Sequence, residues 1–475
     1  MGKEVSFHFG TDGVRGVIDR DFNERLVAIL AESTFRYWSR RYGLRKLLIG
    51  YDVRRKSMDY ANVVASVAVE HGIDAVVTER PTPTPPVIAW YNARFGFDLA
   101  IQITASHNPP MYNGFKVITS KGSPVPDEDT NGIERLYDQE WRDIDRSVSS
   151  IRITKPQLVD PGYHYVDHVI SDVLEMFKPR SRLRVIVDPP LFGTAINYTS
   201  KVLRELGMDV VEVHNSYDPG FGGRNPNPEP ENIYDTVQEV MSKGYDIGIA
   251  HDCDADRIAA IDPSHGYLSP NNVITIVLEH LMRRGGVVKK GVVKAVSTTH
   301  IVDLIAGKYG GVRVYEVPVG FKHSVKHLIN GDAEVAGEES SGLAYSWHVP
   351  DKDGIYTAAL LTAIASEYGN LVDVFDGIIR EYGRSFYRRV DVPFSDGKEF
   401  VSRNREVIID RLHELGSVRQ VITIDGVKVV FNDGSWVLIR GSGTEPIIRI
   451  YAEAFSEDRL RQVIDYAVSL IKSLG

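Results

Sequence analysis

The sequence predicts three successive, related α/β domains with mixed, mostly parallel sheets, followed by a C-terminal α+β domain. Two observations carry this. The order apolar strand, helix, strand, helix, strand recurs three times between residues 47 and 337. After that the pattern changes to short segments of alternating apolar and polar residues around Asp425-Gly426 and Asn432-Asp433-Gly434, which are strong hairpin-turn signals.

In the first repeat, Leu47-Leu48-Ile49-Gly50-Tyr51-Asp52 precedes a helical stretch near 57–71, then Ala75-Val76-Val77 and a Pro-rich loop at 81–86. Leu99–Ile103 is its third strand. The second repeat runs through Val185–Asp188, Val210–Val213 and Ile247–Ala250, and the third through Val292–Val296, Arg313–Val317 and Ala333–Ala336. Strands alternating with helices imply βαβ units, and ligands of such sheets sit off the carboxyl ends of the strands. The final segment predicts strands at Val418–Thr423, Val427–Phe431, Ser435–Ile439 and Ile447–Ala454, with an amphipathic helix near 457–473. The low-signal stretches 139–160, 258–270 and 380–395 read as linkers, placing the domains at 1–150, 151–260, 261–380 and 381–475.

Composition narrows the function classes. Apolar residues make up 43% and charged residues 25%, the values of an ordinary globular protein. The formal charge of −9 without a Lys/Arg cluster argues against nucleic acid or an anionic membrane as partner. A single cysteine, Cys253, excludes an internal disulfide framework and fits a reducing compartment. No apolar run approaches the roughly 18 residues of a membrane span, and the start lacks the apolar stretch of a signal peptide. A cytoplasmic protein is expected.

In each repeat a chemistry-bearing loop follows the third strand. The first, Thr104-Ala105-Ser106-His107-Asn108-Pro109, offers a hydroxyl that can carry a phosphoryl group if a cation and a base are near, and Lys116 lies ten residues on. Alone, this loop also reads as a capped turn. The second, Asp252-Cys253-Asp254-Ala255-Asp256-Arg257, places carboxylates at alternate positions, a pattern that converges on a hard divalent cation and favours Mg²⁺. Without a cation, two unit charges about 4 Å apart repel by roughly 4 kcal/mol at an effective dielectric near 20.

The third loop, Gly337-Glu338-Glu339-Ser340-Ser341-Gly342, offers Glu338 and Ser340 to sugar hydroxyls, or is a polar turn. A fourth loop, Arg440-Gly441-Ser442-Gly443-Thr444-Glu445-Pro446, lets backbone N–H groups converge, and Arg440 and Arg449 supply forked donors suited to phosphate. No Gly-Lys-Ser/Thr follows it, so it is not a Walker loop. Arg15, within Gly10-Thr11-Asp12-Gly13-Val14-Arg15-Gly16, and Lys322-His323 add cationic or titratable groups, or are a surface arginine and a helix start.

With these motifs in family order along its whole length, the chain resembles the α-D-phosphohexomutases. That resemblance implies four domains around a central cleft and the interconversion of hexose 1- and 6-phosphates through a phosphoserine and a 1,6-bisphosphate. It further implies that Ser106 is phosphorylated and that Asp252, Asp254, Asp256 and a phosphoserine oxygen hold Mg²⁺. Lys116 and His107 would then serve acid/base and phosphate-stabilising roles, with Arg15 and Arg257 around the transferring phosphoryl. Glu338 and Ser340 would hold the sugar's O3 and O4, with Lys322 and His323 also on the substrate side. Arg440, Ser442, Gly443, Thr444 and Arg449 would grip the distal phosphate, and a hexose 1,6-bisphosphate such as glucose 1,6-bisphosphate would act as activator.

Two departures stand out. Cys253 occupies a position where the family often has Gly, yet members with Pro there imply that the loop accepts it. The third loop lacks the histidine of mannose-active members, and with Ser346-Trp347-His348 and Lys352-Asp353-Gly354 it resembles glucose-phosphate mutases. Phosphoglucomutase is therefore expected, with phosphomannomutase or a dual activity as the alternative and phosphoglucosamine mutase further off. A non-catalytic sugar-phosphate binding protein is the alternative of a different class.

Overall fold

A computed structural model describes residues 5–10, 13–188, 192–340, 342–443 and 445–475. The first sheet contains β1 (Val14–Val17), β2 (Lys46–Tyr51), β3 (Asp74–Thr78), β4 (Leu99–Ile103), β5 (Tyr112–Thr119) and β6 (Gln157–Val159), in the order β1-β5-β4-β2-β3-β6. The second holds β7 (Arg184–Asp188), β8 (Asp209–Glu212), β9 (Ile247–His251), β10 (Ile258–Asp262) and β11 (Gly266–Leu268), in the order β11-β10-β9-β7-β8. The third holds β12 (Gly291–Ala295), β13 (Arg313–Val317), β14 (Val335–Glu338) and β15 (Gly342–Tyr345), in the order β13-β12-β14-β15.

One unit is common to all three. The first strand of each repeat lies between the second and third, parallel to both, and the third also pairs antiparallel with the strand that follows it. Each chemistry-bearing loop is therefore the connection from β4 to β5, β9 to β10, or β14 to β15. The central strands β4 and β9 are buried throughout, as their continuous apolar runs require of sheets covered on both faces.

The fourth sheet is antiparallel: β16 (Phe386–Pro393), β17 (Val418–Ile422), β18 (Val427–Phe431), β19 (Trp436–Gly441) and β20 (Ile447–Ala454), in the order β16-β20-β19-β18-β17, backed by the helix Glu457–Leu474. It docks on the third domain through buried polar contacts. Glu453 accepts from Trp436 Nε1 at 2.8 Å and from the His300 amide at 2.8 Å. Lys428, 0% exposed, donates to Val296 O at 2.7 Å and Glu316 Oε1 at 2.6 Å.

The three stretches expected as linkers contain regular structure. The helix Asp127–Val148 enters the first, which also contributes β6 to the first sheet. The second forms β10 and β11, and the third forms β16, which pairs with β20 along eight residues. Edge strands such as β16 keep charged residues on open sides, which dilutes the alternation that marks a strand. Among the described residues no helix is long and apolar enough to cross a membrane.

Candidate active site

The first loop holds Ser106 in an unusual conformation. Its φ is +50°, a region that costs free energy for a residue with a Cβ and persists only where the surroundings fix it. Here the Ser106 amide donates to Thr104 Oγ1 at 2.9 Å, and Arg54 grips the loop from beneath. Arg54 donates to Pro109 O at 2.8 Å, Tyr112 O at 3.1 Å and Asn108 O at 2.6 Å, and also to Ser106 O. Its own Nε lies 3.1 Å from Asp52 Oδ2, and both side chains are wholly buried. Thr104 thus caps the turn, leaving the Ser106 hydroxyl to donate to Asp252 Oδ2 at 2.9 Å.

Asp252, Asp254 and Asp256 are each 0% exposed, and one ligand atom from each lies within 4.8 Å of the others. The left-handed position of this loop falls on Ala255, φ +60°, and not on Cys253. Cys253 packs with Val53 and Phe221. Behind the loop sits Gly354, whose amide donates to Ala255 O at 3.1 Å; a Cβ there would stand 2.3 Å from Arg257 O.

Three cations face the carboxylates. Lys116 Nζ is 3.2 Å from Asp254 Oδ2, Arg257 Nε is 3.8 Å from both Asp252 and Asp256, and Lys352 Nζ is 2.6 Å from Asp256 Oδ2. Burial, reinforced by the Asp256 and Asp254 charges, pushes the Asp252 carboxyl well above the usual carboxylate range. A dense, all-oxygen donor set shielded from water fits a hard divalent cation.

His107 completes this half of the site. Burial, then Arg257, Arg15, Lys352 and Lys116, hold its ring well below the ordinary histidine range, so it is neutral at pH 7. Nε2 faces Arg257 Nη2 at 3.4 Å and must accept there, so Nδ1 carries the proton and points to Ser106 Oγ at 3.4 Å. Arg15 donates to Asn108 Oδ1 at 2.5 Å and Ala105 O at 3.2 Å.

The other two loops are arranged differently. Glu338 ends β14, where its carboxylate accepts from Ser340 Oγ at 2.5 Å and from the Gly320 amide at 3.2 Å. Burial and then Glu338 raise the neighbouring Glu339 to about 7, opposed by Ser297, Arg389 and Arg440. Lys322 does not reach this loop; it pairs with Asp127 at 2.6 Å, at the start of a first-domain helix. His323, beside it in the helix Phe321–Ile329, has its ring lowered by burial and by Lys322.

In the fourth loop, Arg440 Nε lies 2.9 Å from Asp425 Oδ2, which also accepts from the Val319 amide at 3.0 Å. Arg449 pairs with Glu445, while Ser442 Oγ accepts from the Glu445 amide at 3.2 Å. Gly441 packs so closely that a Cβ would meet Lys398 N at 2.1 Å, whereas a Cβ on Gly443 would face open space. Thr444 and Ser341 lie outside the described residues, as do Thr11 and Asp12.

Two contributors escaped the sequence reading as site residues. Arg54 follows β2 directly, at the carboxyl end of a parallel strand, and that placement was the available signal. Lys352 reaches Asp256 from a loop almost one hundred residues away, a contact that no local pattern contains.

Comparison with known proteins agrees with this architecture. Profiles of phosphoglucomutase/phosphomannomutase match in chain order: alpha/beta/alpha domain I at residues 6–142, domain II at 163–266, domain III at 269–382 and the C-terminal domain at 392–469. A phosphoglucomutase/phosphomannomutase of Thermococcus kodakarensis is 30% identical across 98% of each chain. A phosphoglucosamine/phosphogalactosamine mutase of Sulfurisphaera tokodaii is 30% identical across 98% of this chain and 99% of its own. Among solved structures, a putative phosphomannomutase from Thermus thermophilus superposes with a TM-score of 0.84 at 27% identity, covering 98% of this chain and 99% of that one.

Proposed function

The chain belongs to the phosphoglucomutase/phosphomannomutase family of phosphohexomutase enzymes, and from that premise we propose that it interconverts glucose 1-phosphate and glucose 6-phosphate. The observation that carries phosphoryl transfer is the Ser106 hydroxyl, 2.9 Å from Asp252 within a ring of carboxylates and cations. Glucose is supported by the Glu-Glu-Ser-Ser-Gly loop, without a following histidine, and by Lys352-Asp353-Gly354.

Phosphoryl transfer asks a protein chiefly for positioning and charge neutralisation. In the first half-reaction the bond from phosphorus to Ser106 Oγ breaks as a bond to the free sugar hydroxyl forms. His107 Nδ1–H hydrogen-bonds the departing serine oxygen; the sugar hydroxyl's proton passes to a base, a role that fits Lys116 in its neutral form, and from there to Ser106 Oγ. After the bisphosphate turns over in the cleft, its other phosphate returns to Ser106 Oγ, and the Ser106 proton passes back through Lys116 to the freed sugar oxygen. Mg²⁺ held by Asp252, Asp254 and Asp256, with an oxygen of phosphorylated Ser106, would supply charge neutralisation at the transferring group.

Arg15 and Arg257 stand beside the same group. Glu338 and Ser340 fit the sugar's O3 and O4. Arg440, Ser442, Gly443, Thr444 and Arg449 fit the distal phosphate, which must be gripped in both orientations of the substrate. Lys322, taken up by Asp127, would have to exchange that partner to reach substrate. Glucose 1,6-bisphosphate fits as activator because it phosphorylates Ser106. The single buried thiol fits a cytoplasmic location.

The name of the Sulfurisphaera relative favours amino-sugar phosphates as a second reading. Side-by-side kcat/KM values for glucose, mannose and glucosamine 1-phosphates, with Mg²⁺ and the matching bisphosphates, test the choice. Glucose should lead; a higher value for either of the other sugars overturns the glucose assignment.

A further inference from the structure

A recess of about 420 Å³ lies where the second, third and fourth domains meet, and none of the four loops lines it. Tyr267 and Leu268 of β11 form one wall, Asn271 and Thr275 of the helix Pro270–Arg283 another, and β16 with the helix Glu457–Leu474 the rest. Ile301, Phe375, Ile378 and Leu460 contribute apolar lining.

Three exposed arginines line it: Arg384, Arg388 and Arg461. Among the described residues none of them has an ion-pair partner, and Arg384 rests over the Phe386 ring at 5.5 Å. Glu457 is the single acid of the lining, and the His265 imidazole is taken up by Asp262 at 3.0 Å and Asp376 at 3.3 Å. The recess therefore combines an excess of forked cations with a volume in the range of small-molecule sites. A protein with net charge −9 gathers such an excess against its overall field.

We infer that this recess binds a small molecule bearing at least two negative charges, phosphate or carboxylate, distinct from the substrate held by the four loops. Guanidinium forks recognise both groups through paired N–H donors. Segment 383–388 carries the chain from the third domain into β16, so an occupant touching both sides would join the fourth domain to the other three at that crossing.

Calorimetric titration of the full chain with sodium pyrophosphate, and separately with citrate, tests this. Pyrophosphate can also enter the cleft, so the readout is the difference between wild type and Arg384→Ala/Arg388→Ala. At least one anion should bind the variant about tenfold more weakly or with one site fewer. A larger loss of pyrophosphate binding in the variant assigns a phosphorylated ligand, and a larger loss of citrate binding a carboxylate. Identical titrations of both proteins overturn the proposal, whatever the cleft binds. Should the double variant fail to fold, Arg461→Gln, at an exposed helix position, gives the same comparison.

Discussion

Lys352 Nζ lies 2.6 Å from Asp256 Oδ2, so a loop of the third domain delivers a positive charge directly onto the carboxylate cluster of the second. A divalent cation at Asp252, Asp254 and Asp256 must share Asp256 with that ammonium. Lys352→Met should therefore tighten Mg²⁺ binding several-fold to about tenfold while lowering kcat. Titration calorimetry with Mg²⁺ reads the first effect, and an unchanged affinity would show that Lys352 does not compete with the cation.

Ser106→Ala should reduce turnover by about 10⁴-fold or more, because it removes the hydroxyl aimed at Asp252. Binding of glucose 6-phosphate should change little, since the fourth loop is untouched. Radiolabelled bisphosphate should phosphorylate wild type and leave the variant unlabelled; a labelled variant would move the nucleophile elsewhere.

Asp254→Asn should lose the response to metal. For wild type, Mg²⁺ at a hundredfold excess over Kd should stabilise the fold by about 2.7 kcal/mol, seen as a rise in Tm. The variant's Tm should stay flat over the same range. Equal rises in the two proteins would remove Asp254 from the ligand set.

Arg54→Lys keeps the charge and loses the fork. Up to four loop carbonyls then lack a donor, and the Asp52 carboxylate loses a matched partner. The expected cost is about 3 kcal/mol in stability, with kcat reduced by about 10²-fold as Ser106 leaves its constrained position. Denaturant unfolding and steady-state kinetics measure the two effects, and wild-type kinetics would show that the loop holds its shape without Arg54.

Lys428 governs a pH response between the third and fourth domains. Burial, and then Lys294, lowers its ammonium from 10.5 to about 8 in the folded chain. Below pH 8 both folded and unfolded chains carry the proton and the folded one bears the full penalty of burying it. As pH rises from about 8 to 10.4 only the unfolded chain stays protonated, so this residue's contribution to stability rises with pH. The stability of Lys428→Met relative to wild type should be most favourable at pH 7 and fall towards pH 10 in thermal unfolding curves. A pH-independent gap would contradict the assignment.

Much of this molecule is legible in its sequence. Continuous apolar runs mark β2, β4, β9 and β12, and position at the third strand singles out the loops of Ser106, Asp252 and Glu338. Hairpin turns mark β18 and β19. What stays hidden depends on contacts between distant segments. β16 is an edge strand whose pattern is broken by Arg388, Arg389 and Asp391, and β10 and β11 are split by the turn residues Pro263-Ser264-His265, which give the stretch the look of a linker. The pairing of Lys322 with Asp127, from another domain, is likewise invisible in any local pattern.

The sole cysteine has a practical consequence. Cys253 stands between the first two carboxylates of the Asp252–Arg257 loop, fully buried, its thiol held well above the ordinary range by burial. A thiol reagent can reach it only during excursions that unpack the loop from Val53 and Phe221. The unmodified chain thus carries a built-in clock: its labelling half-life counts how often the Asp252–Arg257 loop opens, and anything that seats firmly among those aspartates should slow it.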